Sequence, residues 1–132
     1  MKYMLLMSGK KADFEWYARW TREDFRVQAA FMRAFSRELK ESGAFVATEG
    51  LAFPDQATVV RAGSDGEPVT DGVFPESKEF LAGYWIVDVE NAEQAYTIAA
   101  RVSAAPGPGG VPSNMPIEVR QVMSSLPDEL LR

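Results

Sequence analysis

The sequence predicts an α+β fold in a single domain over residues 1–132: an antiparallel sheet carrying two helices on one face. Three observations predict it. Runs with strand-like composition alternate with two segments of helical spacing in the order strand, helix, strand, strand, strand, helix, strand. Two of the strands are apolar on both faces, so both sides of the sheet need cover. A chain of 132 residues with 46% hydrophobic and 25% charged residues has the length and balance to bury one core without staples.

Lys2 to Met7 is the first strand, with Tyr3, Leu5 and Met7 facing one way and Met4 and Leu6 the other. A charged and aromatic segment, KKADFEWYARW, follows. Thr21 with Asp24 three residues later has the form of a capping box, and Phe25, Ala29, Met32, Ser36 and Leu39 then recur at helical spacing. Phe31 and Phe35 widen that face, and Ser42-Gly43 ends the helix, because glycine accepts the left-handed conformation of a helix terminus.

AFVATE and ATVVRA are β-type runs flanking GLAFPDQ, and GSDG before PVT predicts a tight reversal with a small extra β-piece at Pro68 to Thr70. Leu81 to Val89 is the strongest strand, with Leu81, Trp85, Val87 and Val89 on one side and Ala82, Tyr84 and Ile86 on the other. Asn91 caps a second helix, along which Ala92, Ala95, Tyr96, Ala99 and Val102 are spaced. APGPGG stops it and reads as a mobile connector; MPIEVRQVM is the last strand.

This order is a ferredoxin-like plan with a hairpin elaboration. Two helices cover one sheet face, so the apolar second face predicts an interaction surface, most simply the same face of a second copy in a dimeric α+β barrel. The alternative is a monomer whose aromatic segment, Phe14 to Trp20, folds across that face.

Composition excludes several chemistries. There is no cysteine and no histidine, which removes disulfides, thiolate metal sites, cysteine nucleophiles and histidine-based triads. Catalysis would have to run on carboxylates, Lys, Tyr, Ser or Arg. No metal-ligand spacing or EF-hand pattern occurs, and PGPGG lacks the Lys-Ser/Thr of a phosphate loop, so no metal or organic cofactor is expected. The net charge of −5 and pI near 4.8 argue against nucleic acid as a partner. The apolar run in MKYMLLMSGKK is too short for a signal sequence, and nothing approaches a membrane span; a cytoplasmic location is expected.

Four segments carry a resemblance: KYMLLM at the start, EGL in the middle, TDGVFPESKEFLAGYWIVDVE, and IEVRQVM near the end. Their order and spacing resemble the YCII-related superfamily, specifically its DGPF branch. The resemblance implies a dimeric α+β barrel and an association with extracytoplasmic-function sigma factors in transcription regulation. It also implies, for wider relatives, a His-Asp pair suggested to be catalytic and a dehydrochlorinase-like activity; without histidine this chain cannot carry that pair. Within the tetrapeptide, Asp71, Gly72 and Phe74 match while Val73 replaces the proline, which moves to Pro75. Glu76, Lys78 and Glu79 match the branch pattern.

The loop from Thr70 therefore has two readings. As a turn, Asp71 accepts backbone N–H bonds, Gly72 takes positive φ, Phe74 anchors by burying its ring, and Lys78 sits in a local ion-pair network with Asp71, Glu76 and Glu79. As a site at the mouth of an intersheet cleft, Asp71 or Glu79 is the base, Lys78 stabilises negative charge, and Gly72, Phe74 and Glu76 contact ligand. Tyr3 and Tyr84 add hydroxyls to that cleft if their strand faces point inward. Arg22, Arg26, Arg33, Arg37 and Lys40 form one helical stripe, read as a solvated face before a docking surface for an acidic partner. Phe14, Trp16, Tyr17 and Trp20 wall a pocket or, more simply, pack in the core or dimer interface.

The leading expectation is a dimeric binding or regulatory module, with a sigma factor as a candidate partner. The alternative is an enzyme acting on a small organic acid or aromatic compound through Asp71, Lys78 and Glu79.

Overall fold

Strand β1 (Lys2–Gly9) lies inside a four-stranded antiparallel sheet, between β5 (Phe80–Asp88) and β6 (Ile117–Gln121), with β2 (Phe45–Gly50) on the far edge of β5. The structure is a computed structural model and describes residues 1–71 and 79–132. The order β2-β5-β1-β6 is the ferredoxin-like arrangement that the alternation of elements predicts. The two strands with apolar residues on both faces are the two central ones, which is where such a composition is needed.

Alternation along β1 and β5 sets the faces. Tyr3 and Leu5 from β1, with Trp85 and Val87 from β5, are buried against two helices, α2 (Arg22–Ser42) and α3 (Ala92–Ser103). Phe35 and Leu39 descend from α2 and Ala95, Ala99 and Val102 from α3. Each fully buried Leu or Phe side chain stabilises by about 1.5–3 kcal/mol. The reverse face presents Met4, Leu6, Tyr84 and Ile86, all half-exposed, with Leu6 opposite Tyr84 and Met4 opposite Ile86.

The register slips between Met7 and Ser8, so that Met7 pairs with Gly83 while Ser8 pairs with Leu81, skipping Ala82. A bulge of this kind changes the phase of the strand beyond it. Leu81, expected on the face of Trp85, is accordingly exposed. Gly83 sits at the close approach of three strands: a Cβ there would lie 2.8 Å from the Glu49 carbonyl oxygen, a distance real side chains do not tolerate.

Helix α2 starts as expected. The Thr21 hydroxyl accepts the Asp24 N–H at 3.0 Å and the Asp24 carboxylate accepts the Thr21 N–H at 3.0 Å. Gly43 closes it in the left-handed region at φ 80°. Phe35 and Leu39 of the expected face are buried, but Ala29 is exposed and Gln28 beside it is buried in its place. The polar Gln28 takes an interior place that an apolar count skips. In α3, Asn91 caps the Gln94 N–H at 2.9 Å and Ala95, Ala99 and Val102 face inward.

The aromatic segment forms a further helix, α1 (Lys11–Ala18), capped by Asp13 on the Lys10 N–H at 2.8 Å. It has no buried residue and no one-sided apolar pattern, so helical periodicity could not reveal it. Its rings pack on the helix-covered side of the sheet, where Phe14 and Tyr17 meet Phe53 and Tyr17 meets Phe25 at 5.1 Å between centroids. The reverse face is thus left to something other than the segment Phe14 to Trp20.

Strands β3 (Val59–Ala62) and β4 (Pro68–Asp71) make a separate two-stranded ribbon, turned at Gly63 to Gly66. The expected mobile connector is instead a closed loop. Gly107 N–H donates to the Val111 carbonyl at 2.7 Å, Pro106 and Pro112 bridge, and Gly109 N–H donates to Asp24 at 3.1 Å. The carboxylate that caps α2 therefore also holds this loop, a long-range contact that local glycine and proline content does not disclose. A short helix α4 (Asp128–Leu131) ends the chain, and among the described residues no helix is long and apolar enough to cross a membrane.

Candidate functional site

Between α1, α2 and the helix-covered sheet face lies a cavity of about 730 Å³. Met7, Thr48 and Trp85 form its floor; Phe14, Trp16 and Tyr17 of α1 and Met32 of α2 form its walls; Leu51 and Phe53 close the side by β2. The far end is Val102, Ala105 and the segment Ser113 to Pro116. A largely apolar concavity of this size with a few placed polar groups is the usual form of a small-molecule site.

The space exists because large rings hold α1 away from the sheet. Phe14 meets Phe53 and Phe80 edge-on at 6.2 and 6.3 Å, and Tyr17 lies 4.5 Å from Trp20. Edge-to-face rings stack at their perimeters and leave room beneath them.

Inside, Tyr17 Oη donates to Gln28 Oε1 at 2.6 Å. Burial pushes the Tyr17 phenol above its ordinary value, since the phenolate would be poorly solvated there. Tyr17 therefore stays a protonated donor at neutral pH. Gln28, 9% exposed, is the buried polar residue among those described. Among the described residues, the charged ones along the lining are Asp13, Glu49, Glu79 and Arg33, all exposed.

Among the described residues, no group of three or more carboxylates is gathered in a way that could hold a metal ion. The Trp85 indole N–H and Ser113 hydroxyl are buried without a hydrogen-bond partner among those residues.

The residues singled out in the sequence are dispersed. Glu79 lines the cavity. Asp71 stands at the end of β4 on the ribbon, where Arg61 Nη2 approaches its Oδ2 at 2.9 Å. Tyr3 is 7% exposed within the core cluster, and Tyr84 is on the reverse face of the sheet, so the two hydroxyls do not share a cleft. Gly72, Phe74, Glu76 and Lys78 lie outside the described residues. The aromatics Phe14, Trp16 and Tyr17 do line a pocket, while Trp20 is buried beside them. Gln28 went unnoticed in the sequence; the signal available was a polar residue exactly one heptad before Phe35 on an otherwise apolar stripe.

One family model, that of the YCII-related domain, matches residues 1–117. The chain belongs to the YCII-related family. An uncharacterized protein of Rhizobium meliloti (strain 1021) is 28% identical over 111 residues, covering 84% of this chain and 86% of that protein.

Proposed function

We propose that this YCII-related chain is a small-molecule-binding module whose ligand occupies the cavity under α1, and that it works as a homodimer through the reverse sheet face. The observation that carries the reading is the cavity itself: about 730 Å³ walled by aromatic side chains, with a hydrogen-bonded Tyr17–Gln28 pair inside. The dimer is supported by the half-exposed row of Met4, Leu6, Tyr84 and Ile86 across the two central strands. A regulatory partner of the sigma-factor kind would meet the exposed arginines of α2, of which Arg33 also sits on the cavity lining, giving occupancy a route to the docking face.

Native mass spectrometry of protein gently purified from its own source tests the reading. The expected spectrum is a dimer carrying a small-molecule adduct, with the adduct lost in Met32→Trp, which fills the cavity, and the dimer lost in Leu6→Glu. A bare protein that also fails to take up apolar aromatic probes would overturn the binding role. A monomer at micromolar concentration would overturn the dimer.

The enzymatic alternative narrows to Glu79, the candidate acid–base residue on the cavity lining. Its test is consumption of the co-purifying ligand by the parent protein and not by Glu79→Gln.

A further inference from the structure

We propose that the cavity selects uncharged aromatic carbonyl compounds, reading the carbonyl oxygen through the Gln28 side-chain amide while Tyr17 holds that amide in place. The inference rests on the binding role proposed above and specifies the ligand's chemistry.

A glutamine side chain offers one acceptor oxygen and two N–H donors. In this cavity the acceptor is committed, because Gln28 Oε1 takes the Tyr17 hydroxyl proton at 2.6 Å. That bond fixes the carboxamide rotation and occupies one lone pair of the oxygen, so the N–H donors are the wholly uncommitted groups that Gln28 offers a ligand. Two other interior polar groups lie along the lining residues, the Trp85 indole N–H and the Ser113 hydroxyl, but both atoms are sealed from the space. Ser8, Ser36, Thr48 and Asn114 also line the space but are all more exposed than Gln28, so Gln28 is the buried polar side chain of the described lining, and it meets a bound molecule as a donor.

A donor calls for an acceptor on the ligand, either a carbonyl or a carboxylate. The rim chooses between them: among the described residues Asp13, Glu49 and Glu79 stand against Arg33, three negative charges to one positive, which disfavours an anion entering a largely apolar space. The walls choose the rest of the molecule. Phe14, Trp16 and Tyr17 present ring faces and edges suited to a planar aromatic body. Leaving the Gln28 donor unanswered costs binding energy, so a hydrocarbon of the same shape is discriminated against.

Equilibrium dialysis with three matched probes tests this: 2-acetylnaphthalene, its hydrocarbon isostere 2-isopropenylnaphthalene, and 2-naphthoate. The ketone is expected to bind about three- to tenfold tighter than the hydrocarbon, the worth of one hydrogen bond, and tighter than the carboxylate. In Gln28→Leu the ketone-to-hydrocarbon ratio is expected to fall to about one, with hydrocarbon affinity retained. Gln28→Met, which keeps the side chain's length without any N–H donor, gives the same collapse if the leucine variant does not fold. Tyr17→Phe, which frees the amide to rotate, is expected to lower the ratio part of the way. An equal ratio in the parent protein and both Gln28 variants, or preference for the naphthoate, would sink the carbonyl assignment while leaving the cavity reading intact. Failure of all three probes to bind would overturn the cavity reading and this inference with it.

Discussion

The α3 side and the α1 side of the same sheet face are packed in opposite ways. Under α3, small residues bring helix and strands together: Ala95 is fully buried and Ala99 and Val102 nearly so, against Tyr3, Leu5, Val87 and Val89. Under α1, no residue of the helix is buried, and contact is made by the edges of Phe14 and Tyr17, with a cavity beneath. Alanine at a helix–sheet contact closes the gap, whereas rings meeting edge-on prop the helix open. One half of the face is a core and the other is a receptacle, although both are written in hydrophobic residues.

The hardest blow to the core half is Phe35→Ala. Phe35 is 1% exposed and meets Trp85 edge-on at 5.3 Å, so its loss is expected to cost about 3–5 kcal/mol in urea unfolding. A smaller penalty would mean that the cavity side relaxes into the space and that the two halves are not separately packed.

Adding volume sharpens the contrast directly. Ala95→Leu is expected to destabilise by about 1–3 kcal/mol through overpacking, while Met32→Phe on the cavity wall should cost less than about 1 kcal/mol. If the two variants lost equal stability, the receptacle would not be open space.

Gly43→Ala probes the helix that serves both halves. At φ 80° an alanine is strained, and a loss of about 1 kcal/mol is expected in the thermal or urea midpoint, with no change in probe binding.

The smallest effect is pH-dependent. The backbone N–H of Thr21, and then that of Gly109, hold the Asp24 carboxyl below its ordinary value of 3.8. A lowered folded pKa means stability that is present above the unfolded pKa and lost as pH falls through the folded one. Asp24→Asn should therefore be less stable than the parent at neutral pH, and the difference should shrink from about pH 4 downward. A difference independent of pH would show that the bond geometry matters and the charge does not.

Much of the frame was legible in the chain. The capping box at Thr21 and Asp24, the left-handed stop at Gly43 and the Asn91 cap act through neighbours three or four residues away, so their partners are visible in the text. The inward set Tyr3, Leu5, Trp85 and Val87 follows from a period of two, which needs only local geometry. Leu81 escaped because a register slip lies between it and Trp85, and slips are settled by pairing with another strand. Helix α1 escaped because its apolar residues are rings spread around an eight-residue helix with no buried stripe.

By itself, then, the sequence determined the order of the main strands and the two long helices, those helices' ends and which strands are apolar on both faces, since each rests on propensity, capping or periodicity within a few residues. Only the tertiary structure decided that Asp24 also holds the Gly109 loop, that Tyr3 and Tyr84 face apart, and that Tyr17 meets Gln28 on the lining of a cavity. Those contacts join residues on different elements, and their distances depend on how rings and alanines space the helices above the sheet, a property of packing that no local pattern encodes.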